Sequence, residues 1–213
     1  MFEIVPSIAS ADPLNLGGAL QSLAGFPCLH LDIEDGNFTP NITFGLRTAA
    51  AVAAAWGKPL DAHLMANHPQ RYFVALPGMG VSSVAVHYES VDYPLEALHA
   101  VRSLGMKAGL ALNFKTGWRD VLPFAGSFDY VLVMTAEPDG AGERFCPAML
   151  EKIRELRNHL PFGTSIRADG GIGDEECPLV LEAGADTLIM GRYLFACAGP
   201  RAAADALVQK YGK

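Results

Sequence analysis

Short runs of apolar, β-favouring residues recur along the chain, at residues 3–9, 28–34, 59–65, 83–89, 107–113, 130–136, 165–169 and 187–191. Longer stretches with helical spacing lie between them, at 13–24, 45–55, 68–76, 94–104, 146–160, 177–183 and 201–209. This alternation predicts βα units built on a parallel sheet. Val131-Leu132-Val133-Met134 is apolar at every position, as suits a strand with both faces covered. Eight strands in 213 residues leave about 27 residues per unit, the size of a compact α/β (β/α)8 TIM barrel. A doubly wound open sheet shows the same alternation and stays open as a second reading. Local signals agree with the spacing. Asp12-Pro13 suits an N-cap followed by a first-turn proline, and Asp174 precedes two glutamates that suit a helix N-terminus. Gly105 and Gly184 follow helical runs, where a left-handed residue is wanted. No linker or charge block divides the chain, so residues 1–213 are expected to form one domain.

Composition narrows the function classes. Half of the residues are hydrophobic and 18% are charged, which excludes intrinsic disorder. Lys and Arg total 16 against 23 Asp and Glu, a net charge of −7 with no basic run. Such a chain is a poor partner for nucleic acid or an anionic membrane. No apolar stretch reaches the roughly 18–20 residues that a bilayer requires. Met1-Phe2-Glu3 lacks a basic region ahead of an apolar core, so no secretory signal is expected. Cys28, Cys146, Cys177 and Cys197 form no C-x-x-C pair and read as reduced thiols of a cytoplasmic protein.

In a barrel the chemistry sits at the C-terminal ends of the strands. The second run reads His30-Leu31-Asp32-Ile33-Glu34, and alternation puts His30, Asp32 and Glu34 on one face. Three ionisable groups pointing inward would each cost several kcal/mol if left unpaired. A cation removes that difficulty. His63 stands near the end of the third run, and Asp169 where the seventh turns into Gly170-Gly171. Two histidines and two aspartates from three strands make an N2O2 set suited to zinc, iron(II), manganese or cobalt. Read singly, a strand histidine is also a hydrogen-bonded core residue, and Asp-Gly-Gly is also a plain turn.

The ordered set of motifs resembles the ribulose-phosphate 3-epimerase family. It comprises Val5-Pro6-Ser7-Ile8-Ala9-Ser10, Leu29-His30-Leu31-Asp32, the segment from Asp35-Gly36-Asn37 to Phe44-Gly45, and Leu60-Asp61-Ala62-His63-Leu64-Met65. It continues with His87, Lys107 through Asn113, Val131 through Thr135, and Asp169-Gly170-Gly171-Ile172. The resemblance implies a ribulose-phosphate-binding barrel with one divalent metal held by His30, Asp32, His63 and Asp169. It implies that Asp32 and Asp169 are the acid–base pair that inverts C3 of a ketose phosphate. It further implies substrate contacts at Ser7, His63, Met65, Met134, Gly142, Gly171 and Gly191, and self-association of the chain. Core filling is the plain alternative for the two methionines. A metal stabilises the enediolate by several kcal/mol as a Lewis acid.

Three positions depart from the family pattern. Glu34 stands where the family has methionine; it faces the site if the alternation holds, or turns out into solvent. The loop Glu137-Pro138-Asp139-Gly140-Ala141-Gly142-Glu143 keeps Gly142 but carries three acids that would repel a phosphate. Arg192 follows Gly191 where the family has serine, and either grips an anion with its guanidinium or pairs with the loop acids. These changes leave the chemistry and put the ketose in question, with allulose 6-phosphate or a non-phosphorylated sugar as alternatives. A non-catalytic metal-binding barrel is a further alternative. Glu34 also occupies the lysine position of the related decarboxylases, which argues against decarboxylation.

Overall fold

The computed structural model describes residues 2–138 and 144–212. Along the chain the elements are β1 (Glu3–Pro6), α1 (Leu16–Ser22), β2 (Leu29–Glu34), α2 (Leu46–Trp56), β3 (Leu60–Met65), α3 (Gln70–Phe73), β4 (Val81–His87) and α4 (Pro94–Ser103). They continue with β5 (Lys107–Leu112), β6 (Tyr130–Met134), α5 (Met149–His159), β7 (Ser165–Asp169), α6 (Glu176–Ala183), β8 (Thr187–Met190), α7 (Arg192–Ala196) and α8 (Pro200–Tyr211). Among the described residues, eight strands form one parallel sheet in the order β1-β8-β7-β6-β5-β4-β3-β2. Apart from the β1–β8 pairing, which joins the first strand to the last, each step moves to the neighbouring strand in sequence, so the doubly wound reading, which needs a reversal of order, does not hold. A parallel bridge between Ser7 and His30 spans the remaining gap between β1 and β2 and nearly closes the ring.

Period-2 alternation sorts the strand residues into two cores. Leu29, Leu31 and Ile33 of β2 point outward into one cluster with Ala49, Val52 and Trp56 of α2, which helical spacing gathers on one stripe. Inside the ring a smaller cluster joins Ala85, Ala111, Tyr130, Leu132 and Met134. Below the strand ends the interior is polar. The Arg167 guanidinium lies 3.6 Å above the Tyr130 ring and donates to Asp61 at 2.8 Å. Tyr130 fits because Gly109 of the adjacent strand has no side chain; a Cβ there would overlap the ring.

Two differences from the sequence expectations have local causes. The first helical stretch opens with a 3-10 turn, Pro13–Asn15, capped by the Asp12 carboxylate, before α1 begins at Leu16. The 68–76 stretch keeps only four α-helical residues, Gln70–Phe73, with His68 at a positive φ of 54° ahead of Pro69. Between β5 and β6, where the sequence shows no helical stretch, the chain forms a 3-10 segment, Trp118–Phe124, with Pro123 inside it. Gly105 and Gly184 take the expected left-handed conformation at φ 82° and 111°. The four cysteines are free thiols.

Candidate metal and catalytic site

The inward faces of β2, β3 and β7 bring four side chains together. His30, Asp32, His63 and Asp169 each offer one ligand atom, and all four atoms lie within 4.8 Å of one another. His30 Nε2 is 3.2 Å from Asp32 Oδ1 and 3.7 Å from Asp169 Oδ2; His63 Nδ1 is 3.2 and 3.3 Å from the same oxygens. Four ligands about 2.0–2.1 Å from one ion in tetrahedral array stand about 3.3 Å apart, so these separations suit a first-row cation. His63 sits opposite Asp32 in the β2–β3 register, which is why two side chains so far apart in sequence meet.

Each imidazole has its other nitrogen committed. His30 Nδ1 lies 2.7 Å from Asp61 Oδ2, and a carboxylate can only accept, so Nδ1 carries a proton and Nε2 is the atom turned toward the cluster, able to ligate once its own proton leaves. Asp61 is held in turn by Ser83, by Tyr130 at 3.3 Å and by Arg167. Burial alone would raise the Asp61 pKa, but the Arg167 charge and the His30 bond hold it well below the usual carboxylate range. His63 Nε2 lies 2.8 Å from His87 Nε2, and His87 Nδ1 lies 3.2 Å from Glu89 Oε2. Burial pushes His87 down to about 4, so its imidazole is neutral. Its single proton goes to Glu89, which leaves Nε2 to accept from His63 and turns His63 Nδ1 toward Asp32 and Asp169. Burial alone would raise Glu89, but its bonds from His87 and Thr116 draw it down to about 2. Asp61, His87 and Glu89 had no role assigned from the sequence. Parity did place Asp61 on the same face as His63, but nothing local tells which side chain it meets across the ring.

Asp32 is buried, yet its pKa falls because the His30 and His63 charges and hydrogen bonds outweigh desolvation. Against the pull of burial, the Asp32 charge and the bonds to Asp32 and Asp61 hold His30 well above the ordinary histidine value. Metal binding at this centre therefore displaces protons. Ser7, placed by the β1–β2 bridge, donates to Asp32 Oδ2 at 2.6 Å.

Above the cluster a cleft of about 940 Å³ opens at the C-terminal ends of the strands. Ser7, Met65, Met134, Gly171, Gly191 and Arg192 all line it, as do Asp32 and Asp169. Met65 and Met134 are nearly fully buried, and Met134 belongs to the inner core cluster as well. Glu34 lines the cleft and is only 8% exposed, so it does not turn out into solvent. Burial and the Asp32 charge raise its pKa to about 7. Gly170 and Gly171 adopt φ of 119° and 69°, and a Cβ on either would strike the backbone of Ala136 or Phe145 at 2.5 Å. Gly142 and its neighbours Asp139 and Glu143 lie outside the described residues.

Comparison with known proteins agrees with this geometry. A family model described as "Ribulose-phosphate 3 epimerase family" matches residues 3–195. The ribulose-phosphate 3-epimerase of Mycobacterium bovis is 34% identical over 212 residues, covering 98% of this chain and 93% of that protein. The Bacillus subtilis enzyme of the same name is 35% identical over 201 residues, covering 92% and 93%. Among solved structures, orotidine 5'-phosphate decarboxylase from Pyrococcus horikoshii superimposes with a TM-score of 0.69 at 18% identity, covering 99% of both chains. A tryptophan synthase α-subunit mutant from Pyrococcus furiosus gives 0.70 at 16%, covering 99% of this chain and 98% of that one. At these identities the structural matches speak for the barrel fold alone.

Proposed function

Because the chain belongs to the ribulose-phosphate 3-epimerase family, we propose that it inverts C3 of D-ribulose 5-phosphate to give D-xylulose 5-phosphate, with Asp32 and Asp169 as the acid–base pair. The observation that carries this reading is the convergence of His30, Asp32, His63 and Asp169 on one centre at the base of a cleft. The donor set fits one divalent cation, with zinc first and iron(II), manganese and cobalt as equivalents to be compared. When bound, the cation supplies Lewis acidity that stabilises negative charge developing on the ketose oxygens.

The residues of the chain do the rest. Asp32 and Asp169 come from β2 and β7, three places apart around the ring, and so approach the reacting carbon from different directions. One removes the C3 proton and the other returns one to the opposite face, which inverts the centre. Ser7 holds Asp32 in place through its hydroxyl. Met65 and Met134 present apolar surface to the planar intermediate and limit water at the site. The phosphate is assigned to the β7 and β8 ends, where Gly171 and Gly191 allow close backbone approach and Arg192 brings a guanidinium. One barrel domain in a self-associating, cytoplasmic protein is the accompanying expectation; among the described residues no helix is long and apolar enough to cross a membrane.

The test is incubation of the purified protein with ribulose 5-phosphate in deuterated water, followed by NMR at C3. Deuterium incorporation with inversion, lost on chelation and restored by zinc, iron(II) or manganese, is the expected result. No exchange under any of these metals would reject the assignment.

A further inference from the structure

Glu34 is a cleft carboxylate that the acid–base pair and the candidate metal ligands leave unused. It lies two residues beyond Asp32 on the same inward face and sits beside Met65 in the β2–β3 register. The loop that follows holds it rigidly. The Thr39 hydroxyl donates to Glu34 Oε2 at 3.3 Å, and Thr43 accepts the Glu34 N–H at 3.0 Å while donating to Asp32 O. The Asp35 carboxylate accepts the N–H groups of Asn37 and Phe38, and Asp35 bridges back to Ile42. A carboxylate offers about four acceptor positions. Thr39 and Asn41 take part of that capacity, and the rest is available to the cleft.

The position of this acceptor selects one substrate group. In the epimerase reading, on which this inference rests, the reacting C2 and C3 oxygens lie over the four-residue cluster and the phosphate lies toward β7 and β8. The C4 hydroxyl is then on the phosphate side. The C1 hydroxyl is the group left on the far side of the cluster, toward β2 and its loop. Ser7 offers this group little, because its proton goes to Asp32 and its oxygen already accepts the Ala9 N–H. We propose that Glu34 is a specificity-determining residue that accepts a hydrogen bond from the hydroxyl on the terminal carbon next to the ketone, and so favours hydroxymethyl ketoses over methyl ketoses.

The test compares xylulose 5-phosphate with 1-deoxy-D-xylulose 5-phosphate, which differs only by that hydroxyl, in the metal-loaded wild-type protein and in Glu34→Met and Glu34→Gln. C3 exchange in deuterated water gives kcat/KM for each pairing. The inductive effect of the hydroxyl on C3 acidity belongs to the substrate and cancels when ratios are compared between variants. The wild-type ratio should exceed that of Glu34→Met about tenfold or more, as expected for a hydrogen bond to a carboxylate. Glu34→Gln, which keeps an acceptor, should give a ratio between those of wild type and Glu34→Met. An unchanged ratio in Glu34→Met overturns the inference. So does an equal gain for both ketoses, which would make Glu34 only an unfavourable charge near the reacting carbon. No wild-type turnover of either ketose would sink the epimerase reading and this inference with it.

Discussion

Replacing His87 by phenylalanine should weaken metal binding, at a smaller cost to the metal-free fold from the lost His87–Glu89 hydrogen bond. Among the described residues His63 Nε2 has one partner, His87 Nε2 at 2.8 Å, and both rings are fully buried. For His63 to bind a cation through Nδ1, its proton must sit on Nε2. With His87 gone, that N–H has no acceptor, and an unsatisfied buried donor costs about 1–3 kcal/mol. The metal-free protein escapes this cost by moving the proton to Nδ1, where Asp32 and Asp169 lie at 3.2 and 3.3 Å. The penalty therefore falls on the loaded state alone and appears as a loss of roughly 5- to 150-fold in affinity. Phenylalanine keeps the ring contact with Phe38, whose centroid is 4.7 Å from that of His87. Competition with a chromophoric chelator would read zinc and manganese affinity, and a thermal melt of the chelated protein would read the fold. Affinity within twofold of wild type would show that the His63–His87–Glu89 chain does not set the ligand tautomer. A large fall in the metal-free Tm would show that His87 acts through packing instead.

Asp169→Asn is nearly isosteric and should leave the fold while lowering C3 exchange by about 10²-fold or more, the range for losing a general base; near-normal turnover would refute the two-carboxylate mechanism. Arg192→Ser should raise KM about tenfold with little change in kcat if the guanidinium holds the substrate anion, and steady-state kinetics showing an unchanged KM would remove it from the site. Gly109→Ala should overpack Tyr130, which Asp61 and Arg167 hold from the other side, at about 1–3 kcal/mol. That corresponds to a Tm about 2–4 °C lower per kcal/mol for a domain of this size, and an unchanged melt would mean the ring moves freely.

Period and parity determined a good deal by themselves. The alternation of runs marked all eight strands close to their observed bounds, because a strand buried on both faces must be apolar and short. Parity put His30, Asp32 and Glu34 on one face before any tertiary contact was known, because successive side chains on a strand point to opposite sides. The same alternation in β3 puts Asp61 on the face of His63, a placement the sequence reading did not use. Closure of the ring was decided only in three dimensions: the Ser7–His30 bridge joins residues whose pairing no local pattern encodes. The partners of the histidines are also tertiary facts. Asp61 meets Arg167, 106 residues away, and His63 meets His87 on the next strand, because barrel curvature and register bring distant positions to one axis. Local sequence sets which way a side chain points, whereas the staggering of strands around a closed ring sets what it meets there.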